Sequence, residues 1–151
     1  MPTLPVEPSP LKERSIFFLR LVYRAMHNTI HNAAEKVWST LGCGHSELIY
    51  QNALRIELAK QKGINNLSTG RVVPITYDGI SIGSCVLDID FMMEFGQMYI
   101  LELKSIKSLR PEDRSQLKRY MRLFESVDKV GYLINFPASE SMQPEVIEVI
   151  D

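Results

Sequence analysis

Long hydrophobic runs are missing from this chain of 151 residues. The richest stretch, residues 16–25, is broken by Arg20 and Arg24 and falls well short of the ~18–20 apolar residues that cross a bilayer. No membrane span is expected. The stretch follows a proline-rich start rather than a basic one, unlike a secretory leader. Cysteine is scarce: Cys43 and Cys85 are the only two, which excludes a multi-bridge framework and a four-thiolate zinc site. A reducing, intracellular setting is the expectation. An excess of either charge is also lacking, with 17 basic against 18 acidic residues and a net charge of −1. That excludes a bulk polycation but not a local basic groove. There is no internal repeat. With 45% hydrophobic residues, one core can form without disulfide or metal staples.

Half of the eight prolines, Pro2, Pro5, Pro8 and Pro10, fall in residues 1–14, which reads as an extended, flexible tail. Residues 15–151 are expected to form a single domain. Helical spacing of apolar positions over 15–41 gives one long helix, or two joined near 27–29, closed by Gly42 and Gly44. A second helix starts with Ser46 as cap and stops at Gly63. Residues 65–70 read as a polar loop and 71–77 as a strand, which Pro74 assigns to a sheet edge. Asp78-Gly79 signals a hairpin into an extended segment, 80–93, with a bulge at Gly83. Residues 98–104 return as a third strand. Pro111 opens a helix to about residue 125, followed by strands at 129–136 and 146–150. The order predicts an α/β fold, a mixed sheet flanked by helices.

The chemistry concentrates at Leu101-Glu102-Leu103-Lys104. Strand alternation puts Glu102 and Lys104 on one face and the two leucines in the core on the other. Asp88 and Asp90, also two apart, share a face of the preceding strand, and a tight turn at 94–97 brings an aspartate beside Glu102. Two carboxylates plus waters suit Mg²⁺ (or Mn²⁺). A lysine there can orient a water or neutralise charge on a phosphoryl group. The plainer alternative is a solvated polar face with a Glu–Lys pair worth at most ~1 kcal/mol. Glu47 and Tyr50 stand one turn apart on the second helix, and Gln116 and Tyr120 one turn apart on the third. Seven of the 17 basic residues, including Lys107, Arg110, Arg114, Lys118 and Arg122, crowd into residues 104–122. Arg114, Lys118 and Arg122 form a stripe at spacing four, which suits phosphate contacts or a solvated face.

Over about residues 28–137 these motifs resemble the GxxExxY proteins, a branch of the PD-(D/E)XK nuclease-like superfamily. Gly44, Glu47 and Tyr50 match the naming motif. Asp90-Phe91 looks like the family's aspartate strand, Glu102-Leu103-Lys104 like its ExK strand, and Gln116 with Tyr120 like its QxxxY helix. Residues 131–136, GYLINF, look like its G-x-L-I-N-F strand. The resemblance implies a restriction-endonuclease-like fold and a Mg²⁺-dependent phosphodiesterase acting on DNA. By the same resemblance Glu47, Asp90 and Glu102 bind metal directly or through water. Lys104 acts on the attacking water, and Gln116 and Tyr120 position the site and the DNA backbone. The turn between Asp90 and Glu102 is about two residues longer than in the family, so Asp88 competes with Asp90 as the ligand. Residues 1–27 have no counterpart in the family.

Two other readings stay open: a catalytically silent module on the same fold that binds DNA or a protein partner, and an assembly protein acting through its N-terminal helix and tail. The apolar residues 16–25 read as core or as a homodimer seam. His27, His31 and Glu35 have helical metal spacing, with His45 as a further imidazole. Asn28 stands where a zinc helix needs glutamate, so solvated positions are expected. Cys43, Cys85 and Trp38 read as buried.

Overall fold

A computed structural model describes residues 10–150 of the chain. Its elements are α1 (Pro10–Leu41), α2 (Glu47–Ala59), β1 (Ile64–Tyr77), β2 (Ile80–Met93), β3 (Met98–Lys104), α3 (Pro111–Met121), β4 (Lys129–Asn135) and β5 (Glu145–Val149), with a 3-10 turn at Arg122–Phe124. The strands form one sheet in the order β1-β2-β3-β4-β5. Only the β3–β4 pair is parallel, joined through α3. This is the mixed α/β sheet expected, consistent with the restriction-endonuclease-like fold.

Several boundaries differ from the sequence reading. The first helix is continuous and begins at Pro10, whose fixed φ suits a helix start. Residues 10–14, expected in the extended tail, are therefore helical, while the rest of that tail lies outside the described residues. The polar segment 65–70 is strand, because β2 supplies partners at Ser68 and Thr69; pairing overrides the polar composition. Pro74 does lie on the edge strand β1, and the irregularity expected near Gly83 falls between the Ile75–Gly83 and Thr76–Ser81 pairs.

Two cores sandwich the sheet. On one face Ile30, Ala34, Val37 and Trp38 of α1 and Tyr50, Leu54 and Leu58 of α2 pack on Tyr99, Leu101, Leu103, Tyr132 and Ile134. On the other, Leu117 and Met121 of α3 pack on Met98, Ile100 and Leu133. β3 and β4 are thus buried on both faces, as expected of a parallel pair under helices. The first half of α1 is not core: Ile16, Phe17, Phe18, Leu19 and Leu21 are exposed. Cys85 is buried, whereas Cys43 is only half-buried.

α3 can seat against β4 only because residue 131 has no side chain. A Cβ there would stand 2.5 Å from Met121 Sδ and 3.1 Å from a Leu117 methyl. Gly131→Ala is expected to lower stability by about 1–3 kcal/mol through overpacking, measurable as a lower denaturant midpoint with an unchanged slope.

β2 does not alternate evenly. Cys85 and Leu87 point to the α3 side, whereas Ile89 and Phe91, of the same parity, point to the α1–α2 side. The slip falls at Asp88. Across from it, between the Thr69–Ile89 and Arg71–Leu87 pairs, Gly70 takes a φ of +66°, a conformation open to glycine at little cost.

Candidate active site

Pairing between β2 and β3 runs from Met92–Met98 to Ile89–Leu101 and goes no further. Beyond that point Asp88 replaces the ladder: its Oδ2 accepts the Leu103 backbone N–H at 2.8 Å. The strands part where β3 presents Glu102 and Lys104. As strand parity requires, both lie on the α3 side, opposite Leu101 and Leu103.

Glu102 is 3% exposed, and its Oε1 accepts from Lys104 Nζ at 2.9 Å. Lys104 Nζ also donates to Gln116 Oε1 at 3.1 Å, and Gln116 Nε2 donates to the Tyr120 hydroxyl at 2.8 Å. An ammonium can only donate, so it fixes the amide's orientation and passes order from β3 to α3. The start of α3 is held in turn by Asp113, whose carboxylate accepts the Arg110 backbone N–H at 2.8 Å and which lies beneath the helix's first turn, where acidic groups are favoured.

Glu47 enters from the first residue of α2. The turn before it uses Gly42 at φ +69° and Gly44 at φ +93°. Tyr50 holds that turn: its hydroxyl donates to the Gly42 carbonyl at 2.6 Å, and its ring stacks on Phe136 with centroids 4.5 Å apart. Ser46 occupies the cap position without a side-chain cap hydrogen bond. Ser105, directly after the lysine, donates its hydroxyl to the His45 carbonyl at 3.1 Å and ties this turn to the end of β3.

The carboxylates sense each other. Burial, then Asp88, push the Glu102 carboxyl up to about 7, against the pull of Lys104. Burial also raises Asp88, countered by the Leu103 amide and Lys104. Glu47 is raised by burial and by Asp88, countered by Lys104 and the Ser105 amide. Burial works against the Lys104 ammonium, yet Glu102, Glu47 and Asp88 outweigh it and raise its pKa. Three carboxylates thus surround one ammonium, with Glu102 buried and Glu47, Asp88 and Lys104 half-buried.

Asp90 is elsewhere. It shares the α3 side with Glu102, but its oxygens accept from Arg71 Nε at 2.9 and 3.0 Å. Of the two competing aspartates, Asp88 is the one beside Glu102, because the strands separate at its position and Asp90 lies inside the paired ladder.

The basic residues divide. Lys107 is exposed in the loop before α3, and Arg110 reaches Asp113 at 3.4 Å. Arg114 and Lys118 border a groove with Leu133, Glu145 and Ile147. At ~100° per residue the 114–118–122 stripe lies across α3 from Gln116 and Tyr120, towards β5 rather than over Glu102. The histidines are dispersed. His27 is half-buried with Nδ1 3.2 Å from the Tyr132 hydroxyl, rather than solvated. His31 faces Glu35 at 3.8 Å, and His45 donates to the Leu41 carbonyl at 3.2 Å. Among the described residues no group of three or more His, Cys, Asp or Glu side chains is placed to hold a metal ion.

The sequence reading placed Asn135 in the GYLINF strand but gave it no role in the site. The residue is fully buried, with Oδ1 accepting the Ile106 N–H and Nδ2 donating to the Ile106 carbonyl, both at 3.0 Å. It pairs across the ladder with Lys104 and clamps the chain just after it.

A family model described as the PD-(D/E)XK nuclease superfamily matches residues 24–149. No curated protein and no solved structure matches the chain. No helix among the described residues is long and apolar enough to cross a membrane.

Proposed function

The chain belongs to the PD-(D/E)XK nuclease superfamily, and from that premise we propose that it is a metal-dependent deoxyribonuclease of the GxxExxY branch. The observation that carries this reading is the chain of contacts Glu102–Lys104–Gln116–Tyr120, set beside Asp88 where the strands part. A merely solvated Glu–Lys pair needs neither burial nor a glutamine to orient its ammonium.

Members of the superfamily generally use divalent metal ions, and the residues here fit one. Mg²⁺ takes one or two carboxylates and keeps several waters, so it needs no group of three ligands. Asp88 and Glu102 are the direct ligands in this proposal, with Glu47 acting through water. The donor set is hard oxygen only, which favours Mg²⁺ or Mn²⁺ over zinc. A cation bound there supplies positive charge to the phosphoryl oxygens and lowers the pKa of water.

The chain's own groups do the rest. In this proposal Lys104 orients the attacking water by donating to it, its ammonium form favoured by the carboxylates around it. It also offsets charge that develops on the phosphoryl oxygens. Gln116 keeps the ammonium aimed, and Tyr120 keeps Gln116 aimed. Lys107 and Arg110, at the loop leading from the site, are the proposed backbone contacts nearest the scissile bond. Arg114, Lys118 and Arg122 serve a more distant stretch of DNA.

The test is conversion of supercoiled plasmid to nicked or linear form with Mg²⁺ or Mn²⁺, and its arrest by chelator. Lys104→Ala is expected to reduce the rate by roughly 10²–10³-fold, the range for losing one group that stabilises transition-state charge, with the fold retained. Full activity of that variant would remove the lysine from the mechanism. No cleavage by the parent with either metal would leave the silent binding module.

A further inference from the structure

The nuclease chemistry leaves the pairing of buried Asp90 with Arg71 unexplained. Asp90 is 2% exposed, while the Arg71 side chain above it is 43% exposed. Arg71 grips Asp90 with its inner edge: Nε lies 2.9 and 3.0 Å from the two oxygens and Nη2 lies 2.8 Å from Oδ1. The outer nitrogen, Nη1, has no partner among the described residues.

Both residues belong to the side of the sheet that carries Glu102. Arg71 pairs across β1–β2 with Leu87, and Asp90 across β2–β3 with Ile100, and Leu87 and Ile100 both pack on the α3 side. Asp90 stands two residues along β2 from Asp88, roughly 6.6 Å at the usual strand rise. The pair therefore flanks the proposed metal ligands on the β1 side, while Lys107 and Arg110 flank them on the α3 side.

As a stabilising device the pair is a poor choice. Sinking a carboxylate forfeits its hydration, and well-packed apolar side chains do as well or better in such places. What the arrangement does achieve is orientation. A free surface arginine loses rotamer freedom whenever it grips an anion, whereas one already locked by its inner edge loses little. Its remaining donors point outwards in a fixed plane, matched to phosphate oxygens.

We propose that Arg71, locked in place by Asp90, is a phosphate clamp that grips the DNA backbone next to the scissile bond. The assignment rests on the nuclease reading and extends it: Asp90 serves the substrate through Arg71 rather than the metal.

The test is a phosphate scan on a short duplex, with each phosphate in turn replaced by an uncharged methylphosphonate. The full-length Lys104→Ala protein serves as parent so that cleavage is slow on the timescale of the binding measurement. The parent is expected to lose roughly tenfold in affinity, the scale of one charge-assisted hydrogen bond, at a phosphate beside the cleavage position. Arg71→Gln/Asp90→Asn, made together, removes the clamp without orphaning a buried charge and keeps the net charge. It is expected to bind unmodified duplex roughly tenfold more weakly and to become indifferent to that one substitution. Coupling of this kind in a double-substitution cycle reports contact rather than general charge. Arg71→Lys keeps the charge but not the fork, and should also lose the coupling; it decides the matter if the double variant is unfolded. Retention of the full position-specific loss by whichever of these variants folds would overturn the clamp while leaving the nuclease reading intact. Failure of the parent to bind duplex at all would overturn both.

Discussion

Glu102→Gln is expected to abolish cleavage and, in the same protein, to raise stability at neutral pH. Folding lifts this carboxyl from its ordinary 4.5 to about 7, by burial first and by Asp88 second. A raised acid holds its proton more tightly in the folded state than in the unfolded one. Its favourable contribution is therefore complete below pH 4.5 and is lost as pH rises through about 7. Above that, the metal-free protein carries a charge penalised by about 3 kcal/mol, from ~1.36 kcal/mol per pKa unit. Glutamine has the protonated carboxyl's shape without the charge. Thermal unfolding in chelator should show the variant several degrees more stable at pH 8 and no more stable near pH 4. Saturating Mg²⁺ should narrow the gap at pH 8, since it stabilises only the protein that binds it. Cleavage should fall by more than the 10–100-fold typical of groups that merely support a ligand. Equal melting temperatures at pH 8 would mean that the buried charge carries no penalty, and undiminished cleavage would remove Glu102 from the site.

The second large effect separates the two aspartates. Asp88→Asn should weaken Mn²⁺ binding by roughly 100-fold, the upper end of what metal-site substitutions cost even outside the ligand set. The fold should survive, because an asparagine Oδ1 can still accept the Leu103 N–H. Asp90→Asn should leave metal affinity within a few-fold of the parent and cost stability by only about 1–2 kcal/mol, since the Arg71 it leaves unpaired is part-exposed and can be solvated. Calorimetry with Mn²⁺ and chemical denaturation on both variants distinguish the assignments. A 100-fold loss of metal affinity in Asp90→Asn alone would reverse them, and would also remove the phosphate clamp.

On the proposed reading, stability and activity pull against each other here. Glu47, Asp88 and Glu102 are all held above their ordinary pKa, at a place where the sheet could have continued its ladder. The fold tolerates this because its cores are elsewhere, on both faces of β3 and β4. On the proposed reading this crowded acidity serves a hard cation, and stability alone would not favour it.

The parts of the site legible from sequence are those that local backbone geometry dictates. A strand's period of two was enough to put Glu102 and Lys104 together against Leu101 and Leu103. A helix's period of 3.6 was enough to place Gln116 and Tyr120 one turn apart, and Pro111 marked where that helix begins. Gly44 before Glu47 marked a turn that side chains resist. None of these inferences needs to know what lies across the sheet.

Other features depend on partners far away in the chain, and composition there misled. Residues 65–70 look like a loop, yet β2 makes strand of them. Asp88 and Asp90 have the same parity and cannot be told apart by alternation, because the alternation itself slips at Gly70 and Asp88. The stripe at Arg114, Lys118 and Arg122 is evident on a helical wheel, but only the packing of Leu117 and Met121 on β4 decides which flank of α3 faces Glu102. Arg71 carried no signal at all. Its meaning arises from a diagonal contact between neighbouring strands, 19 residues apart in sequence. Local periodicity is set by a few dihedral angles per residue, whereas strand register is settled by the burial and hydrogen bonding of the whole sheet at once.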